Sequence, residues 1–170
     1  MVLGMSLATF TLVHVVISLI AIVAGLVVMF ALLGSKQMPG LTAIFLLFTI
    51  LTSVTGFMFP FKELLPSHIF GIISLILLAI ACIALYVMKL SGAWRPIYIV
   101  TAMISLYLNV FVLVVQSFLK IPPLHALAPS VPPAPPSGPV FAVVQGIVLV
   151  LFVVAIIGIW RRFRPMTSFA

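Results

Sequence analysis

The chain has 170 residues, of which 65 % are hydrophobic and only 5 % charged, with eight Lys or Arg against a single acid, Glu63. A water-soluble domain of this size needs a charged surface and has no core large enough for so much apolar mass, so the composition excludes that class and points to an integral membrane protein. The net charge of +7 does not signal nucleic-acid binding, because the basic residues lie in short clusters between apolar runs, as membrane topology requires.

Five apolar segments are long enough to cross a bilayer, which takes roughly 20 residues. They are predicted at Ser6–Leu33, Leu41–Phe59, Ser67–Leu90, Ile97–Leu119 and Val140–Trp160. Backbone groups in lipid must bond within their own segment, so helices are expected. The runs are too long and too continuous for barrel strands, which take about 10 alternating residues each. The expected fold class is an all-α polytopic bundle, a single transmembrane domain over residues 1–170 with a Pro-rich loop at 120–139.

The first segment has no basic n-region before it and no small-residue cleavage pattern after it, so it reads as a retained anchor rather than a cleaved signal. Within it, Thr11, His14, Ser18, Ala21 and Gly25 recur at steps of three and four and share one helix face. "GSKQMPG" (Gly34–Gly40) closes this helix and opens the next. The second helix offers Thr49, Thr52, Ser53 and Gly56. Met58, among Phe57, Phe59 and Phe61, reads as packing rather than as a ligand. "FPFKELLPS" is the next turn, with Pro60 and Pro66 at helix boundaries. There Lys62 and Glu63 read as an interfacial pair; the other reading is that Glu63 orients His68.

The third helix offers Ser67, Gly71 and Ser74. Its Cys82 is the only cysteine, a small buried hydrophobe, and no zinc-type Cys/His spacing exists. After "KLSGAWRP", Pro96 suits the first turn of a fourth helix. That helix has Tyr98, Thr101, Ser105, Asn109 and Gln116 on one face, with Val112 at the missing step. Lipid penalises polar groups, so these faces are expected to turn toward each other. Ser and Thr can bond to their own helix carbonyls, whereas the full amides of Asn109 and Gln116 need several partners. "KIPPLHALAPSVPPAPPSGP" (Lys120–Pro139) is too proline-rich for a helix and is expected to be partly extended, either a spacer or a cap over the bundle. "RRFR" (Arg161–Arg164) anchors the last helix to anionic headgroups.

Lys36, Lys89, Arg95, Arg161, Arg162 and Arg164 fall on one side, and Lys62 and Lys120 on the other. The positive-inside rule then puts the N-terminus outside and the C-terminus in the cytoplasm, with Trp94, Tyr98 and Trp160 in the cytoplasmic aromatic belt. His14, His68 and His125 all belong to the outer half, with Gln116, Gln145, Met58, Lys62 and Glu63. Three chemistries fit that clustering. His14 can be a neutral core residue bonded to Thr, Asn or Gln. His14 and His68 can ligate a metal or b-type haem, with Met58 or His125 nearby, since neutral imidazole is a good iron or copper ligand. Or His68, Glu63 and Gln116 can form a protonation or quinone site. A transport path is disfavoured, because the inner half has almost no ionisable residue and no inverted repeat is evident. Glycine-rich phosphate loops, GxSxG and HExxH are absent, and one acid cannot support paired-carboxylate catalysis.

"TSVTGFMFPF", "LPSHIFGIISLILLAIACIALY" and "WRPIYIVTAMISLYLNVFVLVVQSFLKIPPLHALAP" resemble an uncharacterised family of small multi-span bacterial inner-membrane proteins, over roughly Thr9 to Arg164. The resemblance implies a multi-pass location in the bacterial cytoplasmic membrane and transfers no functional residue. "PSHIFG" is also similar to the Pro-x-His helix entry of some suspected haem-binding membrane families. The expected function is a non-enzymatic accessory or structural membrane subunit, with the bilayer and a membrane protein or second copy as partners and no nucleic acid. The alternative is a quinone-linked electron-transfer protein with haem b, His14 and His68 as axial ligands, and Asn109 and Gln116 as further cofactor contacts.

Overall fold

The computed structural model describes residues 2–60, 66–131 and 134–165, and every regular element in it is helical. The helices are α1 (Leu7–Leu33), α2 (Pro39–Phe57), α3 (Pro66–Cys82, continued by a π-helical turn at Ile83–Val87), α4 (Trp94–Lys120), the short α5 (Pro122–Leu127) and α6 (Pro139–Arg162). Five spans are long and apolar enough to cross a membrane: Leu7–Leu33, Pro39–Phe57, Ser67–Val87, Trp94–Lys120 and Pro139–Arg162. The all-α bundle and its five predicted spans therefore stand, with ends displaced by a few residues.

Consecutive spans pack on one another, α1 on α2, α2 on α3 and α3 on α4. Helix α6 packs on α4 and closes the ring against α1, while α4 also touches α1 and α2. Helix α4 is accordingly the most buried span and α6 the least. The core runs through this centre: Phe45, Leu78, Ala81, Ile99, Ala102, Met103, Leu106 and Ile159 are fully buried. Small residues set the closest approaches. A Cβ at Gly25 would lie 2.5 Å from Leu106 Cδ1 and 2.8 Å from the Phe45 ring, so α1 meets α2 and α4 across a bare backbone.

The helix ends follow from local chemistry. Ser6 caps α1 by accepting the Thr9 N–H at 3.2 Å. At the other end Ser35 N–H donates to Leu32 O and Lys36 N–H to Ala31 O, with Ser35 left-handed at φ 56°. That pairing terminates the helix and satisfies its last carbonyls. Pro39 falls in the first turn of α2, where its missing N–H costs nothing, so α2 starts ahead of the predicted Leu41.

Two elements differ from expectation. The third span does not run as a regular helix to Leu90; it widens into the π-helical turn, and Leu90 N–H bonds back to Ala84 O at 3.0 Å. The widened turn carries Ala84 and Leu90 into the core beside α4. The proline loop, expected to be extended, begins with helix α5. Pro122 and Pro123 occupy the first turn, where no donor is needed, and His125 N–H bonds to Ile121 O at 2.9 Å. Helix α5 packs on α4, and Ala128 and Pro136 are buried, whereas Leu127 and Val131 stay exposed.

Arg95, at the start of α4, donates to the carbonyls of Trp160 (3.2 Å) and Phe163 at the end of α6. Helix C-termini leave their last carbonyls unpaired and carry partial negative charge, so a guanidinium is a suitable cap. Phe163 itself is fully buried, and Arg164 N–H donates to Ser35 Oγ at 3.0 Å. "RRFR" is thus partly a structural clasp joining the ends of α1, α4 and α6. Arg95→Ala is expected to lower stability by about 1–3 kcal/mol, the range for losing charged hydrogen bonds. Arg95→Lys should retain only part of that. Thermal unfolding of the detergent-solubilised variants checks both.

Candidate functional site at the histidine end of the bundle

The candidate site is the end where α1 begins, α2 ends and α3 begins. Helix α2 presents Thr52, Thr55, Phe57 and, just past its last turn, Phe59. The Thr55 hydroxyl donates to Leu51 O at 2.7 Å, which uses its one proton. Its 2.7 Å contact with His14 Nδ1 must then be one in which Nδ1–H donates and Thr55 Oγ1 accepts. This leaves His14 Nε2 with its lone pair, a tautomer assigned from the network. Phe59 meets the His14 ring edge-on at 5.1 Å, and Phe10, almost fully buried, meets Phe59 at 4.9 Å. Gly56 also faces the ring, and a Cβ there would stand 3.8 Å from His14 Cε1, an ordinary van der Waals contact. His14 is therefore a half-buried, hydrogen-bonded residue of the α1–α2 interface.

His68 is buried in the first turn of α3, its ring against Phe57 at 5.7 Å and tilted by 33°. Gly71, one turn on, lets Phe57 approach; a Cβ there would lie 2.9 Å from the ring. Residues two apart on a helix point in nearly opposite directions. Thr55 and Phe57 thus hold the two histidines on different flanks of the last turn of α2. Among the described residues no three of His, Cys, Asp and Glu converge as a metal site.

The amides divide in the same way. Asn109 Nδ2 donates to Thr49 Oγ1 at 3.5 Å and ties α4 to α2, while Thr49 donates onward to Phe45 O. Gln116, two turns further along α4, is exposed and is not brought to Asn109. Gln145 is buried and donates to Phe111 O at 3.1 Å, tying α6 to α4, while its Oε1 finds no partner. His125 Nδ1–H donates to Phe118 O at 3.3 Å and so caps α4 from α5. Met58 is half-buried beside the site. Lys62 and Glu63 lie outside the described residues.

The hydroxyls that share faces with these groups bond within their own helices. Thr11 donates to Leu7 O, Ser18 to His14 O, Ser53 to Thr49 O, Thr101 to Ile97 O and Ser105 to Thr101 O. Each satisfies a donor that lipid would otherwise leave unpaired, and none needs a ligand to do so. Ser74 is the exception, with a buried Oγ that has no partner. Ser74→Ala is expected to be neutral or to stabilise by up to about 1 kcal/mol, because it removes an unpaired buried hydroxyl at little cost in volume. Chemical or thermal unfolding reads the change.

One interior contact was not legible in advance. Thr55, the partner of His14, was not assigned to the polar face of α2, although it falls three residues after Thr52 and one before Gly56. Tyr98, expected both on the inward-turning polar face of α4 and in an aromatic belt with Trp94 and Trp160, follows the first expectation: it is almost fully buried. Trp160 is half exposed, as the belt requires.

Compared with protein-family models, characterised proteins and solved structures, the chain matches none, so what stands is a small all-helical protein with several membrane-length helices.

Proposed function

We propose that this chain is a non-enzymatic accessory or structural subunit of a bacterial cytoplasmic-membrane assembly, built as one multi-pass transmembrane domain. The observation that carries this reading is where the polar side chains go. His14–Thr55, Asn109–Thr49 and Gln145–Phe111 join one helix to another, and His125–Phe118 fastens α5 to the end of α4. The hydroxyls close back on their own helices. Interhelical polar bonds of this kind hold membrane bundles together. In this reading the N-terminus faces outward and the C-terminus the cytoplasm, a reading supported by Lys36, Lys89, Arg95, Arg161, Arg162 and Arg164 falling on one side of the span pattern. The test is purification from native membranes in mild detergent. A larger membrane protein recovered in fixed ratio with a colourless chain is the expected result. A chain recovered alone, with a chromophore, would contradict it.

One observation favours a second reading, haem b electron transfer. The hydrogen bond from Nδ1–H to Thr55 leaves His14 Nε2 as a neutral, oriented lone pair, the form that ligates iron. In this reading His14 is the ligand and His68 the second candidate, with Asn109 and Gln116 as nearby cofactor or quinone contacts. The opposed flanks occupied by the two rings weigh against both binding one iron within a single chain.

A further inference from the structure

The outward face of α6 carries a feature that the accessory reading does not use. Val143, Ile147, Val150, Val154, Ile157 and Arg161 follow at steps of four and three, so they form one straight stripe, and all are exposed. Two shallow hollows lie along it. One, of about 410 Å³, is lined by Val143, Gly146, Ile147, Val150 and Leu151 and is wholly apolar. The other, of about 300 Å³, is lined by Ile157, Trp160 and Arg161, and is the only one of the two with a charged wall.

Charge accumulates beside the second hollow. The Arg164–Ser35 bond brings the end of α6 to the end of α1, so Lys36, which follows Ser35, belongs to the same end of the bundle as Arg161, Arg162 and Arg164. No acid is present among the described residues of this corner; the single acid of the chain is Glu63. Arg95 has its carbonyl partners, whereas Arg161 and Arg162 make no hydrogen bond or ion pair to any described residue. A guanidinium presents five donors in a fork that fits a phosphate, and clustered like charges are relieved by an anion. From Arg161 back to Val150 is about 16 Å of helix, roughly half of a ~30 Å hydrocarbon core, which is the reach of one acyl chain in one leaflet.

We propose that the Trp160–Arg161 end of α6 is a binding site for a phospholipid with a negatively charged headgroup. Arg161 and Arg162 hold the phosphate, the Trp160 indole sits at the headgroup level, and an acyl chain lies over Ile157, Val154 and Val150. Charge complementarity selects this occupant over a second copy. A parallel pair of α6 stripes would bring Arg161 against Arg161 with no acid to separate them. The site is independent of the accessory role, since it needs only a bilayer.

The experiment is native mass spectrometry of the full chain in detergent, titrated with phosphatidylglycerol or phosphatidylcholine of identical acyl chains. Phosphatidylglycerol is expected to be retained about 25-fold better, at roughly one kcal/mol, or about fivefold, for each of the two arginines. Arg161→Gln with Arg162→Gln should abolish the preference. Gly146→Leu, at the uncharged hollow, should leave it intact. Equal retention of the two lipids, or a preference that survives loss of both arginines, would overturn the proposal. So would equal binding of glycerol phosphate without chains, which would make the corner a free-anion site. Rapid disulfide formation between copies of Val154→Cys in a Cys82→Ser background would overturn it too, by placing a second chain on the stripe.

Discussion

Gly25→Leu is expected to prevent stable assembly of the bundle, and Gly25→Ala to destabilise it measurably. The Cβ of an alanine would meet Leu106 Cδ1 at 2.5 Å and two atoms of the Phe45 ring at 2.8 and 2.9 Å. Both neighbours are fully buried, so neither can swing aside without disturbing α4 or α2. Overpacking of this kind costs about 1–3 kcal/mol. Alanine recovers up to about 1 kcal/mol through its higher helix propensity, so a net loss of about 1–2 kcal/mol is expected. Leucine gains nearly as much helix propensity but adds three more carbons to the same contact, far more overpacking than that gain offsets. Gly146→Ala is the internal control. Nothing lies within 4 Å of its Cβ position, so it should be neutral or slightly stabilising. Thermal or denaturant unfolding of the three variants in one detergent gives the comparison, and a Gly25→Ala variant as stable as Gly146→Ala would show that α1 does not pack as described.

Thr55→Val should be the most costly small change at the histidine end. Valine has nearly the shape of threonine but cannot accept the His14 Nδ1–H, leaving a half-buried donor unpaired at an expected cost of about 1–3 kcal/mol. Thr55→Ser keeps the acceptor and should lose much less. His14→Phe leaves Thr55 still bonded to Leu51 O, so its cost is mainly one of packing. The double variant His14→Phe with Thr55→Val should lose less than the sum of the two single changes, because no orphaned donor remains. Strict additivity would mean that the two side chains are not coupled, and that the tautomer of His14 is set by something else.

Much of this molecule was legible in the residues because the bilayer fixes the length of its spans. Apolar runs between Gly, Pro and Lys clusters located all five spans, and steps of three and four placed Thr11, His14, Ser18, Ala21 and Gly25 on the inward face of α1. What escaped depended on tertiary packing. The π-helical turn at Ile83–Val87 has no local mark, and it forms where Ala84 and Leu90 bury beside α4. Helix α5 was hidden by the very prolines that start it. At the candidate site, the alternation of the spans brought His14 and His68 to one end of the bundle. Which flank of α2 each would meet depended on whether α1 or α3 packed against Thr55 or Phe57, and no spacing within a helix encodes that choice. Asn109 found its partner on α2 as its amide required, whereas Gln116, on the same predicted face, is exposed although Phe118, two residues further along α4, is buried.

The most direct test of whether the histidines are internal ties is a reduced-minus-oxidised absorption spectrum of the full chain, purified in detergent after expression with ample haem. Histidines engaged in helix-to-helix packing predict a spectrum without a b-type band, together with the instability of Thr55→Val. A sharp b-type band near one haem per chain, removed by His14→Ala, would contradict the structural role and establish the ligand reading of Nε2.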